Sequence, residues 1–218
     1  MVTKSVLLLS GGLDSVVLAH KLVRSRQQPR CLHFDLGRPS SLAELHFAKK
    51  TAAELGLPLE VVDMKGLFRM VLGYMPLEDA IADEWDCPEP VPEVFPISAI
   101  PTLLSVALYY AQLTRARTVY IAELREQARP TTRRLHKQLS ATTGLADPSY
   151  PRASIAAPFL GHKKPAVVSM GHTLKVSLVD TWSCFTSSIT HCGGCAGCRG
   201  RRAAFQAAAI RDHTKYAA

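Results

Sequence analysis

The sequence predicts an α/β chain: a parallel sheet with helices on both faces and a metal-binding segment near the C-terminus. Three observations predict it. Short apolar runs alternate with helical patterns through the first sixty residues, as parallel strands joined by right-handed crossovers require. The first run, Val6–Leu9, leads into Ser10-Gly11-Gly12-Leu13-Asp14-Ser15 and then into a helical pattern. Four cysteines, 184, 192, 195 and 198, crowd into the last 35 residues.

The elements follow in order. Val6–Leu9 is the first strand, buried on both faces by its composition. Residues 14–25 form a helix on the periodicity of Val16, Ala19 and Val23, with Leu18 and Leu22 beside them. The glycine pair therefore sits at a strand-to-helix junction, where it lets the backbone turn tightly. The loop's N–H groups and the positive helix end then face one point, which suits phosphate. No Gly-Lys-Ser/Thr follows, so it is not a Walker loop, and no G-x-G-x-x-G is present.

Cys31–Leu36 reads as the second strand, ending at Gly37. Asp35 falls at its carboxyl end, where open α/β sheets bind ligands; capping the next loop is its alternative role. Ser41-Leu42-Ala43-Glu44 reads as a capping box opening a helix to about Leu55, stopped by Gly56. Leu59–Val62 is the third strand. Residues 76–96 carry five prolines and seven acids, so they read as a flexible flap. Asp83, Glu84 and Asp86 could bind a hard cation, though such a run is more often solvated.

Ser98 to Thr114 is helical, with Leu103, Leu104, Ala107, Leu108 and Ala111 on its apolar face. Thr118–Ala122 is the fourth strand. The stretch from Arg115 to Lys137 holds seven basic residues against Glu123 and Glu126, and reads either as a solvated helix face or as an anion-facing surface. Residues 144–158 read as a loop, and Ala156–Leu160 as a short terminal strand. Pro165 starts a helix over Ala166–Met170 that Gly171 ends.

Cys184-x7-Cys192-x2-Cys195-x2-Cys198 can close a tetrahedral four-thiolate shell around structural zinc. An iron–sulfur cluster needs the same ligands, but these spacings match neither common ferredoxin run. His191 is a bystander, since four thiolates suffice. Clustered cysteines in a reducing compartment point to metal rather than disulfides.

The 218 residues carry a formal charge of +8, which supports anionic partners without specifying one. Hydrophobic residues make up 47%, which excludes a disordered chain. No apolar run is long enough to span a membrane, and the first is too short for a signal peptide. A cytoplasmic protein is expected, folded as one domain over 1–218 with its zinc segment at 182–202.

S-G-G-x-D-S resembles the PP-loop of ATP pyrophosphatases, which cleave ATP to AMP and pyrophosphate and adenylate a substrate oxygen. The resemblance implies a Rossmann-like fold of the adenine nucleotide alpha hydrolase kind. It also implies that Ser10, Gly11, Gly12, Leu13, Asp14 and Ser15 hold the departing pyrophosphate, with Mg2+ at Asp14. With T-W-S-C…H-C-G-x-C-x-x-C-R near the end, the chain resembles the 7-cyano-7-deazaguanine synthase family (QueC). By that resemblance Phe34 and Asp35 contact the nucleotide. Lys164 stands where the family has a lysine, at the head of a short helix, that faces the phosphates.

The implied chemistry is adenylation of 7-carboxy-7-deazaguanine, attack by ammonia to give an amide, and a second activation to give the nitrile. Implied partners are ATP, a deazaguanine carboxylate and ammonia, or else a protein acceptor in an antiviral-defence relative of the family. A homodimer is admitted, and nucleic acid is left open. The third reading is a non-catalytic zinc-bearing nucleotide-binding subunit. Three family motifs are altered, at Phe34–Ser40, Phe95–Ala99 and Glu123–Lys137.

Overall fold

The structure, a computed structural model, describes residues 5–66, 99–125, 127, 131–143 and 149–217. The expected flap at 76–96, its acidic residues and Cys87 lie outside the described residues.

Five parallel strands form one sheet: β1 (Ser5–Leu8), β2 (Arg30–Asp35), β3 (Leu59–Asp63), β4 (Thr118–Tyr120) and β5 (Ser154–Ala156). Their order is β3-β2-β1-β4-β5, the doubly wound order in which the chain reverses direction across the sheet between β1 and β4. Leu7 pairs with Cys31 on one side and Tyr120 on the other, so β1 is central. Ser5, Val6 and Leu7 are buried because both faces are covered, and Leu8 is half-buried.

Helices α1 (Leu13–Arg24), α2 (Ser41–Leu55), α5 (Lys164–Thr173) and α6 (Ala196–Ala207) lie on one face. There Leu7, Leu9, Val17, Leu18, Phe159 and Val168 form the larger core. Helices α3 (Ala99–Leu113) and α4 (Thr132–Thr142) cover the other face. Val6, Leu32, Leu108 and Val119 form the second core there, with Leu139 against it. No helix among the described residues is long and apolar enough to cross a membrane.

Three local expectations are corrected. The capping box at Ser41 is not formed: α2 begins at Ser41 itself, and Ser40 takes the cap position. Ser41 Oγ instead accepts the Arg38 N–H at 2.9 Å, while the Ser40 hydroxyl donates to Glu44 at 3.0 Å. The last strand is Ser154–Ala156 rather than Ala156–Leu160, since Ser154 N–H pairs with Arg117 O and the chain turns after Pro158. The loop expected over 144–158 therefore contains a strand. Gly171 does not end α5, which continues to Thr173. It is glycine because a Cβ there would lie 2.7 Å from Leu178 Cδ2 and 2.8 Å from Val17 Cγ2, where α5 packs against α1.

Candidate active site and metal centre

The loop from Ser10 to Ser15 leaves the carboxyl end of β1, beside the switch point. Gly11 has φ +81°, and a Cβ on it would sit 2.1 Å from the Glu44 carbonyl oxygen of α2. So α2 presses on the loop, and no other residue fits. Gly12 is extended, with an ordinary φ of −74°, and caps α1. The paired-glycine expectation therefore rests on Gly11 alone for its turn.

Two hydroxyls brace the loop from inside. Ser15 Oγ accepts the Ser10 N–H at 3.2 Å and lies 3.0 Å from Ser10 Oγ, which accepts the Gly12 N–H. The first intrahelical bond runs from Val16 N–H to Gly12 O. Leu13, Asp14 and Ser15 thus supply the helix's first-turn N–H groups, which no preceding carbonyl can accept. These donors and the helix's positive end suit an anion.

Asp14 occupies that first turn. Its Oδ2 lies 3.2 Å from Lys164 Nζ, the first residue of α5. Its Oδ1 is buried and has no hydrogen-bond partner among the described residues. A buried carboxylate oxygen without a donor fits a hard cation such as Mg2+. The structure therefore brings Asp14 and Lys164 together across 150 residues of chain.

Asp35 ends β2 at the same edge. Its Oδ1 accepts the Gly37 N–H at 3.0 Å, and its Oδ2 meets Lys65 Nζ at 2.9 Å. Burial alone would raise its pKa, but the Lys65 and Gly37 contacts outweigh it and hold the carboxyl below its usual range. Of the two roles open to Asp35, the described contacts make the loop cap. Phe34 packs at the margin of the second core.

The four cysteines form one cluster, with all Sγ atoms within 4.8 Å of one another. Two sulfur pairs, Cys184–Cys195 and Cys192–Cys198, stand 3.9 and 4.0 Å apart. A tetrahedron with Zn–S bonds of about 2.3 Å has edges of about 3.8 Å, so the donor set fits zinc. Backbone N–H groups of Cys192, Phe185 and Cys195 point at Cys184, Cys195 and Cys192 sulfurs respectively. Such bonds stabilise thiolates. His191 is not among the cluster's ligands: its Nε2 accepts the Ser183 N–H at 3.1 Å. Burial, then Arg201, pushes its pKa down to about 4, which keeps the ring neutral for that contact.

The segment that carries the cysteine cluster touches the loop. Trp182 N–H donates to Gly11 O at 2.9 Å, and Trp182 bridges Gly12 in parallel fashion. Its ring stacks between Phe47 of α2 and His191.

The sequence matches the family described as "Queuosine biosynthesis protein QueC" over residues 4–209. The chain belongs to the QueC family. That span takes in the loop, Lys164 and all four cysteines. The chain is 31% identical to a 7-cyano-7-deazaguanine synthase of Rhizobium rhizogenes, over 98% of this chain and 92% of the relative. It is 30% identical to that of Ruegeria pomeroyi, over 98% and 94%. Among solved structures, the NMN synthetase of Francisella tularensis superposes with a TM-score of 0.54 at 15% identity, covering 97% of this chain and 79% of the other. That likeness shows the fold.

Two features of the site were not found in the sequence of this QueC-family chain. Glu123, just beyond β4, lies buried with its Oε2 3.1 Å from Nε2 of His136 on α4. Neither atom makes a hydrogen bond among the described residues, so the contact is one of proximity. Within a basic stretch, nothing marks Glu123 as buried. Arg201 is fully buried and donates to Leu178 O, at 2.6 Å, and to Thr181 Oγ1, at 2.8 Å, with Asp212 at 3.5 Å. It ties α6 to the segment entering the metal centre. Its signal was only one arginine among the three at 199, 201 and 202.

Proposed function

We propose that this chain uses ATP to adenylate the carboxylate of a 7-carboxy-7-deazaguanine-like acid. A carboxylate oxygen attacks the α-phosphorus of ATP, the Pα–O–Pβ bond breaks, and pyrophosphate leaves. Ammonia then attacks the acyl carbon, the acyl C–O bond breaks, AMP leaves, and the nitrogen loses a proton to give the amide. A second ATP activates the amide oxygen on the way to the nitrile.

The observation that carries the reading is the Ser10–Ser15 loop at the switch point with Asp14 and Lys164 in contact. The first-turn N–H groups of α1 and Lys164 hold negative charge on the departing pyrophosphate. Charge stabilisation of this kind is a large share of catalysis for phosphoryl and adenylyl transfer. Asp14 positions Lys164 and offers its free oxygen to Mg2+, which when bound neutralises phosphate charge. The zinc centre is structural in this reading, because four thiolates leave no open position for water. It holds Trp182 against Gly11 and Gly12.

The test is product analysis with ATP, 7-carboxy-7-deazaguanine and ammonia. AMP release is expected, with amide exceeding nitrile, since the motifs at Phe95–Ala99 and Glu123–Lys137 are altered. No AMP with any deazaguanine acid overturns the reading and leaves a non-catalytic nucleotide-binding subunit. A mass increase on a protein acceptor in place of free amide moves the acceptor from ammonia to that protein.

A further inference from the structure

Helix α4 carries Arg133, Arg134 and Lys137, all exposed. It leads back from the carboxyl edge of the sheet: its C-terminal Thr143 is bonded to Ala153 at the amino end of β5. Its N-terminal turn, with Arg133 and Arg134, therefore faces the edge that holds the nucleotide loop. The turn contains no acidic residue. Cations at a helix N-terminus oppose the macrodipole, so these two arginines work against the helix that bears them.

More cations gather beside them. Arg125 N–H donates to His162 O at 2.9 Å, which sets Arg125 near exposed Lys163. Lys164 follows, paired with Asp14. The buried Glu123–His136 contact clips α4 to the segment bearing Arg125. None of Arg125, Arg133, Arg134, Lys137 and Lys163 forms an ion pair among the described residues. The carboxylates of Glu123 and Asp14 are each turned to their own partner.

From this arrangement we propose that Arg125, Arg133, Arg134, Lys137 and Lys163 form a docking surface for the phosphodiester backbone of a folded RNA. Two observations favour RNA over an acidic protein. Protein interfaces have an apolar core, yet among the described residues none of the large exposed hydrophobic side chains lies on α4 or next to Arg125 or Lys163 in the chain. Nucleic-acid interfaces are polar and strongly positive. Arginine also predominates, whose planar fork grips phosphate in pairs of bonds and stacks on unpaired bases. Duplex DNA is disfavoured because α4 lies flush against β5 and α3 rather than projecting as a groove-reading helix.

The experiment is fluorescence anisotropy with end-labelled bulk transfer RNA and the full chain across a salt series. Binding that weakens as salt rises is expected. The double variant Arg133→Ala/Arg134→Ala should bind about tenfold more weakly, and its log–log salt slope should fall in magnitude by about 2. Arg117→Ala/Arg152→Ala, at the opposite edge of the sheet, should bind as the parent does. The circular dichroism and zinc content of both variants should match the parent. Absence of binding at low salt overturns the proposal, as does equal weakening by both variants. So does tighter binding of poly-glutamate or duplex DNA than of RNA. The readout is binding, so it stands apart from whether the chain releases AMP.

Discussion

In the proposed chemistry Asp14 is the central residue. Its position in the first turn of α1 gives it a lysine partner at one oxygen and, among the described residues, no donor at the other. Asp14→Asn and Ser10→Ala should each lower AMP and pyrophosphate release by about 10²–10³, the usual loss for one charge-stabilising contact. The fold and zinc content should be unchanged by circular dichroism and metal analysis. Wild-type turnover in the Asp14 variant would place the ligand elsewhere. Lys164→Ala should act in the same direction, less severely where adjacent Lys163 can reach, because a lysine acts as a mobile point charge. Cys31→Ser lies far from both chemistries. Burial raises the Cys31 thiol to about 12, so it stays protonated and unreactive.

At the scale of elements, the four-cysteine segment and the Ser10–Ser15 loop form one unit through Trp182. Removing zinc with a chelator, or substituting Cys195→Ala, should unfold the segment, since structural zinc binding is folding energy. Thermal melting and zinc content should fall together, and a well-folded metal-free chain would refute the centre's structural role. Trp182→Ala should cost about 3–5 kcal/mol by denaturant titration, as for other buried aromatics. It should raise the KM for ATP as well, because the ring contacts with Phe47 and His191 that seat the Trp182 backbone against Gly11 and Gly12 are lost. Gly171→Ala forces a methyl group between Leu178 and Val17, and overpacking of that kind costs about 1–3 kcal/mol.

For the molecule as a whole, acid sensitivity follows from a histidine beneath the loop. His33 is 1% exposed, and its Nδ1–H donates to Leu9 O at 3.0 Å while Nε2 has no partner among the described residues. Burial holds its pKa below the ordinary 6.5. Below that pH the unfolded chain binds a proton that the folded chain resists, so stability falls as pH drops beneath about 6.5. Melting temperatures of wild type and His33→Leu, followed from neutral to mildly acid pH, should show a steeper fall in the wild type. Parallel curves would assign the acid sensitivity to other groups, the thiolates foremost.

The periodicities of Val16 to Val23 and of Leu103 to Ala111 identified α1 and α3 because each helix buries one face. The four-cysteine spacing pointed to the thiol cluster because the cysteines lie close along the chain. Local pattern carries such information, and so the strand–loop–helix that bears Asp14 was legible before any fold was known. What the tertiary structure decided is long-range. A place for Lys164 facing the phosphates was expected only through family resemblance, and nothing local dictates its meeting with Asp14. The burial of Glu123 against His136 and of Arg201 against Leu178 depends on how α4 and α6 dock, which no window of sequence contains. Gly171 read as a helix stop for the same reason. A glycine's usual meaning is conformational, whereas here the neighbouring Leu178 and Val17, distant in sequence, leave no room for a Cβ.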